Sequence, residues 1–247
     1  INWFSLKIPG SPEIETLGLM LPVGISFYTF QTMSYTIDIY RDSNKKFDSF
    51  LDFACYAAFF PQLVAGPIVR ADYFREQIKA PLKIDSVRFR LGLTLIIYGI
   101  AKKFIVADNV ALHANAVFVE GEHLANIGLV WWATLCFGIQ IYCDFSAYTD
   151  IAIGSAHLFG ITLPENFKTP YAATSPQDFW RRWHISLSSW LRDYLYIPLG
   201  GSRNGVNRMV FALMMTMLLG GLWHGASWNF IVWGFVHGLL LIIHRFG

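Results

Sequence analysis

Residues 104–167 contain no lysine or arginine, and that gap limits the fold more than any other feature. A membrane-spanning helix needs roughly 20 apolar residues, so the gap has room for a pair. Residues 209–244 go further and carry no Lys, Arg, Asp or Glu. Composition agrees. The chain is 54% hydrophobic and 17% aromatic, with 15% charged residues, where a soluble domain carries about 25%. Mean hydropathy is +0.41. The expected fold is all-α, a polytopic membrane helix bundle forming one membrane-embedded domain over residues 1–247. With Ile1 in place of Met and Gly247 just after an apolar run, the sequence reads as an internal fragment of a longer chain, without a cleavable signal pattern. Its basic residues cluster beside apolar runs, as at membrane flanks, so the expected partner is membrane lipid and not nucleic acid. Cys55, Cys136 and Cys143 show no ligand spacing and read as small packing residues.

Along the chain, residues 17–40 form a first apolar run. The second, 50–69, is interrupted by Pro61, Gly66 and Pro67, which predicts a broken or re-entrant segment. A re-entrant path also solves a sidedness problem. The loop at Lys45 and the stretch from Arg70 to Arg90 are both basic, and the positive-inside rule puts both in the cytoplasm. Residues 90–110 read as another apolar helix. The charge-poor gap reads as two helices, 127–142 and 150–163, separated by the polar run Asp144-Phe-Ser-Ala-Tyr-Thr-Asp150. Pro164, Pro170 and Pro176 mark an irregular linker. Residues 175–195 read as one amphipathic interfacial helix, capped by Ser175 with Asp178 in its first turn. Trp180, Trp183, Leu187 and Trp190 lie on one face of it, and Arg181, His184, Ser188 and Arg192 on the other. Residues 208–243 read as two helices broken near Gly220-Gly-Leu-Trp-His224-Gly225.

Two histidines stand out. His224 lies in an otherwise uncharged run, and an ionisable residue at membrane depth is a functional candidate. The bland reading is a hydrogen-bonded helix contact. A desolvated imidazole stays neutral and can take a proton from an attacking hydroxyl. His184 belongs to a stripe with Arg181, Ser188 and Arg192. That stripe is either headgroup-facing or the wall of a cavity for a phosphate or carboxylate, which arginine binds bidentately. Asp144 and Asp150 are costly in such surroundings unless hydrated in a tunnel or paired with an arginine of the amphipathic helix. His113, His123, His157, His237 and His244 read as structural. No metal is expected, because His184, His224 and His237 lack a diagnostic spacing. No His-Glu-x-x-His, P-loop or Gly-x-Ser-x-Gly pattern occurs.

Several ordered motifs carry a resemblance across nearly the whole chain. They are Gly24-Ile-Ser-Phe-Tyr-Thr-Phe-Gln31, Pro61-Gln-Leu-Val-Ala-Gly-Pro-Ile68, Asp144 to Asp150, Pro164-Glu-Asn-Phe167, Trp180-Arg-Arg-Trp-His184 through Gly201, and Gly220-Gly-Leu-Trp-His224-Gly-Ala-Ser-Trp228. The sequence resembles the membrane-bound O-acyltransferase family, more narrowly its bacterial alginate O-acetyltransferase branch. The resemblance implies that His224 is catalytic, that His184 is the second essential residue, and that both are buried in a tunnel through the membrane. It also implies a cytoplasmic acyl donor, acetyl-coenzyme A or another acyl thioester, with no bound cofactor. The acyl group would pass outward to hydroxyls of an exported polysaccharide such as alginate, with periplasmic or extracellular partner proteins, from a bacterial inner membrane.

On this reading His224 is the general base. His184, aided by Arg181 or Arg182, orients the donor or stabilises developing negative charge. Arg181, Arg182, Ser188, Arg192, Asp144 and Trp223 are the expected substrate-binding residues. Three alternatives stand beside it: D-alanyl transfer to teichoic acid, a transporter with a His/Asp proton relay, and a scaffold of a polymer-export complex.

Overall fold

The computed structural model describes residues 24–80, 84–121, 126–225 and 227–246, and these are all-helical apart from turns and extended connections. Of the first apolar run, the part before Gly24 lies outside the described residues, as do Lys83 and His123. The rest is helix α1, Ile25–Arg41.

Helices α2 (Phe50–Ala57) and α3 (Phe60–Leu63) are short, and Pro61 stands in the first turn of α3. An extended strand of backbone then leads to α4 (Ala71–Lys79). Side chains satisfy the backbone groups that this broken path frees. Gln62 Nε2 donates to the Tyr56 carbonyl at 2.8 Å, Tyr56 Oη donates to that of Val69 at 2.8 Å, and Ser186 Oγ accepts from Ile68 N–H at 2.9 Å. Such substitution lets irregular backbone survive away from water. Both ends of the segment emerge on one side. Arg75 donates to the carbonyls of Asn44 and Lys46, Lys45 pairs with Asp72 at 3.2 Å, and Lys79 pairs with Asp48 at 2.6 Å. The two basic loops share a face, as a re-entrant segment requires.

Helix α5 (Ser86–Ala101) runs through a π-helical stretch, Lys102–Ala107, into α6 (Asp108–Phe118). The rod is longer than the expected 90–110. It packs on α7, Ile127–Leu158, whose N-terminal amides at Gly128 and Leu129 donate to Asn126 Oδ1.

Helix α7 corrects the sequence reading. The two expected helices are one helix of 32 residues, and the polar run from Asp144 to Asp150 is about two turns within it. Its carboxylates need neither a loop nor an arginine partner. Lys102 Nζ lies 2.5 Å from Asp150 Oδ2, and Lys103 Nζ lies 2.6 Å from both Asp144 Oδ1 and Asp108 Oδ1. Adjacent lysines from the π-helical stretch thus meet the acids of α7, and paired charges are tolerated where single ones are not.

After α7 an extended strap reaches α8 (Pro176–Arg182), which begins at the predicted Ser175 cap, with Asp178 N–H donating to Ser175 Oγ at 3.1 Å. Helix α9 (Ile185–Leu191) follows and ends in a π turn, Arg192–Tyr196. The expected single helix over 175–195 is therefore broken in two. Helices α10 (Val206–His224) and α11 (Trp228–Phe246) form a hairpin at the predicted break. Among the described residues, three helices are long and apolar enough to cross a membrane: α7, α10 and α11. One buried cluster joins Tyr56, Val69 and Phe74 to α7. A second joins Phe30 of α1 to Leu187, Trp190 and Leu191 of α9. The second cluster fixes the floor of the site.

Candidate active site

The break between α8 and α9 falls at His184. Its backbone is left-handed, with φ 43° and ψ 55°. Few residues besides glycine adopt this region, and His is among the more tolerant. The geometry turns the imidazole away from the arginines and into the protein, where the residue is 2% exposed. The strap secures the break. Asn166 C=O accepts from Ile185 N–H, and Lys168 N–H donates to Arg182 C=O, both at 2.9 Å.

Asn166 also sets the chemistry of the ring. Its Oδ1 accepts from the backbone N–H of Ser186 at 3.1 Å and from Ser186 Oγ at 2.9 Å. The backbone N–H can only donate, so the amide atom it meets is the oxygen. His184 Nδ1 lies 3.1 Å from that same oxygen and must carry the proton. Nε2 then holds the lone pair. His184 lies outside the three spanning helices. Burial, and secondarily the nearby His224, holds its imidazole down at about 3, so the ring is a neutral acceptor.

A cavity of about 360 Å³ brings the two histidines together. It is walled by Phe145, Trp180, Trp183, Trp223 and Trp233 among others. Phe145 stands edge-on to the His184 ring at 4.8 Å between centroids, and His224 lies between Trp223 at 4.7 Å and Trp233 at 5.2 Å. His224 is the last residue of α10. A helix C-terminus favours a cation, and an imidazole that has taken a proton is a cation. The resemblance implied that both rings are buried, and the two differ. His184, whose stripe had both a headgroup-facing and a cavity-lining reading, is buried, whereas His224 is exposed.

The remaining expected residues divide. Asp144 and Trp223 line the histidine cavity, Asp144 already paired with Lys103. Arg181, Ser188 and Arg192 line a second cavity of about 480 Å³ without His184. The face predicted for the four is thus real for three and lost for His184, because its left-handed backbone rotates it out of register. Arg182 joins neither chamber. Its Nε is 2.9 Å from both carboxylate oxygens of Asp178, and this guanidinium holds the Asp178 carboxyl below its ordinary range. Trp180, Leu191 and Met217 border both cavities and form the wall between them. Asn166 was missed as a site residue, although it stands in the Pro164-Glu-Asn-Phe167 motif. An asparagine inside a proline-punctuated stretch was the available signal.

Fold and site together define an all-helical membrane protein with a histidine-bearing chamber inside its helices. The chain belongs to the membrane-bound O-acyltransferase family, whose model matches residues 40–246. It is 45% identical over 231 residues to the probable alginate O-acetylase AlgI of Azotobacter vinelandii, covering 92% of this chain and 45% of that protein. It is 40% identical to a peptidoglycan O-acetyltransferase of Helicobacter pylori, covering 94% of this chain and 49% of the relative. A teichoic acid D-alanyltransferase of Bacillus subtilis is 30% identical, with 99% and 64% covered. The chain spans about half the length of the O-acetylating relatives it matches.

Proposed function

We propose that the protein to which this chain belongs transfers an acyl group, acetyl by preference, from a cytoplasmic thioester to hydroxyls of an exported polysaccharide such as alginate. The observation that carries this reading is the shared cavity of His184 and His224, one ring fixed as an acceptor and the other placed where a cation is favoured. His224 takes the proton from the hydroxyl as its oxygen attacks the thioester carbonyl, and returns it to the leaving thiolate. General-base assistance of this kind is worth about 10² to 10⁴ in rate. His184 accepts a hydrogen bond through Nε2 and orients the hydroxyl. Its tautomer does not suit it to the other role considered, stabilising developing negative charge, which needs a donor.

Acetyl-coenzyme A and acyl-carrier thioesters both carry phosphate, and the second chamber offers Arg181, Arg192 and Ser188 for it. From there a thioester arm reaches the histidines past Trp180, Leu191 and Met217. Periplasmic or extracellular partner proteins complete the delivery to polymer, as the resemblance to alginate O-acetylases implies. The likeness to the D-alanyltransferase keeps an aminoacyl group on the same scaffold as the second reading.

The test uses the full-length protein in its host, with His224→Ala and His184→Ala made separately and membrane levels checked by blot. Acetyl esters on the secreted polysaccharide should fall by at least about 10²-fold in His224→Ala. Unchanged esters in both variants would remove the assignment and favour a transporter or scaffold. D-alanyl esters in place of acetyl would select the second reading.

A further inference from the structure

The histidine cavity has a hydrogen-bonding inventory that the protein alone does not close. Among the described residues, Trp180 Nε1, Trp223 Nε1 and His184 Nε2 are buried without a hydrogen-bond partner, and all three residues line this one cavity. An indole N–H is a donor only. A buried donor left without an acceptor costs about 1–3 kcal/mol, and most buried polar groups have partners. Trp190 shows the ordinary outcome in the same region, donating through Nε1 to the Phe30 carbonyl at 3.1 Å. Two unsatisfied indoles flanking one cavity are therefore notable, and their donors come from different elements, α8 and α10.

Asp144 Oδ1 is also buried on this cavity without a well-aligned hydrogen bond, but Lys103 Nζ lies 2.6 Å from it, so the groups left unmet are two donors and one acceptor. A hydroxyl meeting an acyl carbonyl presents the complement: an O–H for His184 Nε2 and an oxygen that accepts from the indoles. Resting on the acyl-transfer reading above, we infer that the indole N–H groups of Trp180 and Trp223 form the oxyanion site of the reaction. As the hydroxyl oxygen bonds to the acyl carbon, the carbonyl π pair moves onto its oxygen, which gains negative charge. The two N–H groups hold that charge. When the C–S bond breaks, the pair returns to re-form the carbonyl, and the thiolate leaves with the proton from His224. No oxidant or further reactant enters. Donors fixed in a water-poor site act where charge develops and need no reorganisation. The role first considered for His184 and the arginines thus passes to two tryptophans. Trp180 also lies in the wall between the chambers, where a thioester carbonyl arriving from the arginine side would meet it.

The experiment uses the full-length protein in membrane vesicles with labelled acetyl-coenzyme A as the probe, beside ester content of polymer from the host. Trp180→Phe and Trp223→Phe remove the N–H and keep an aromatic wall. Each should lower kcat by about 10² to 10³, the cost of one oxyanion donor, with KM for the thioester changed far less. Replacing either tryptophan by 3-benzothienylalanine, which keeps the bicyclic shape and exchanges N–H for sulfur, should give the same loss. A ring-fluorinated tryptophan, which keeps the N–H, should preserve the rate. If the benzothienyl variants match wild type while His224→Ala is inactive, the indole assignment falls and the acyl-transfer reading stands. If wild type itself yields no ester in the vesicles or on the polymer, both fall together.

Discussion

At the scale of single residues, the site turns on one left-handed histidine and the asparagine that holds it. Both histidines were legible in the sequence, His224 from its uncharged surroundings and both from motif resemblance. The relation between them was not. Helical periodicity placed His184 beside Arg181, because no glycine or proline marks the break, and a positive φ leaves no trace in spacing. Asn166 was invisible for a related reason: its work is to accept hydrogen bonds from residues 18 and 20 positions later. The arrangement has a pH signature. Folded His184 titrates at about 3, against an ordinary value of 6.5. Between those values the unfolded chain binds more protons, so stability present above about pH 6.5 is lost as pH falls toward 3. In the full-length protein the unfolding midpoint should drop across this window. His184→Asn, which tolerates the left-handed backbone and does not titrate, should flatten the drop. An unchanged pH slope in that variant would contradict the buried, neutral imidazole.

Among elements, the paired carboxylates misled. Asp144 and Asp150 look like a loop in an apolar run until Lys102 and Lys103 are seen to meet them across the helix contact. The sequence separates those lysines from their partners by 41 and 48 positions, a distance no local pattern spans. The broken path of residues 50–69, by contrast, was readable from Pro61, Gly66 and Pro67. What fixes α5 against α7 is close backbone approach. A Cβ on Gly99 would lie 2.7 Å from the Ala147 carbonyl oxygen, and one on Gly92 would lie 2.8 Å from that of Gly154. Small residues serve this purpose in membrane helix pairs. Gly99→Leu should therefore separate the helices and loosen both lysine–aspartate pairs. Thermal unfolding of the full-length protein in detergent should register a loss of several degrees, whereas Leu93→Ala on the exposed surface of α5 should change little.

For the whole molecule, the basic segments on either side of residues 50–69 occupy one face, joined by contacts of Arg75, Lys45 and Lys79. The charge pattern led to the expectation that the two loops lie together, and their contacts agree with it. Cysteine labelling checks it directly. In the full-length protein with Cys55, Cys136 and Cys143 replaced, Ser43→Cys and Lys79→Cys should react with an impermeant reagent from the same side of the membrane, and Gly121→Cys from the other. Opposite labelling of residues 43 and 79 would make 50–69 a true span. The same architecture has a consequence for biogenesis. The segments that carry or support His184, α2, α3, α8 and α9, have between four and eight residues each, far below the roughly 20 that insert as an independent span. They can enter the bilayer only against helices already there, so the chamber closes last.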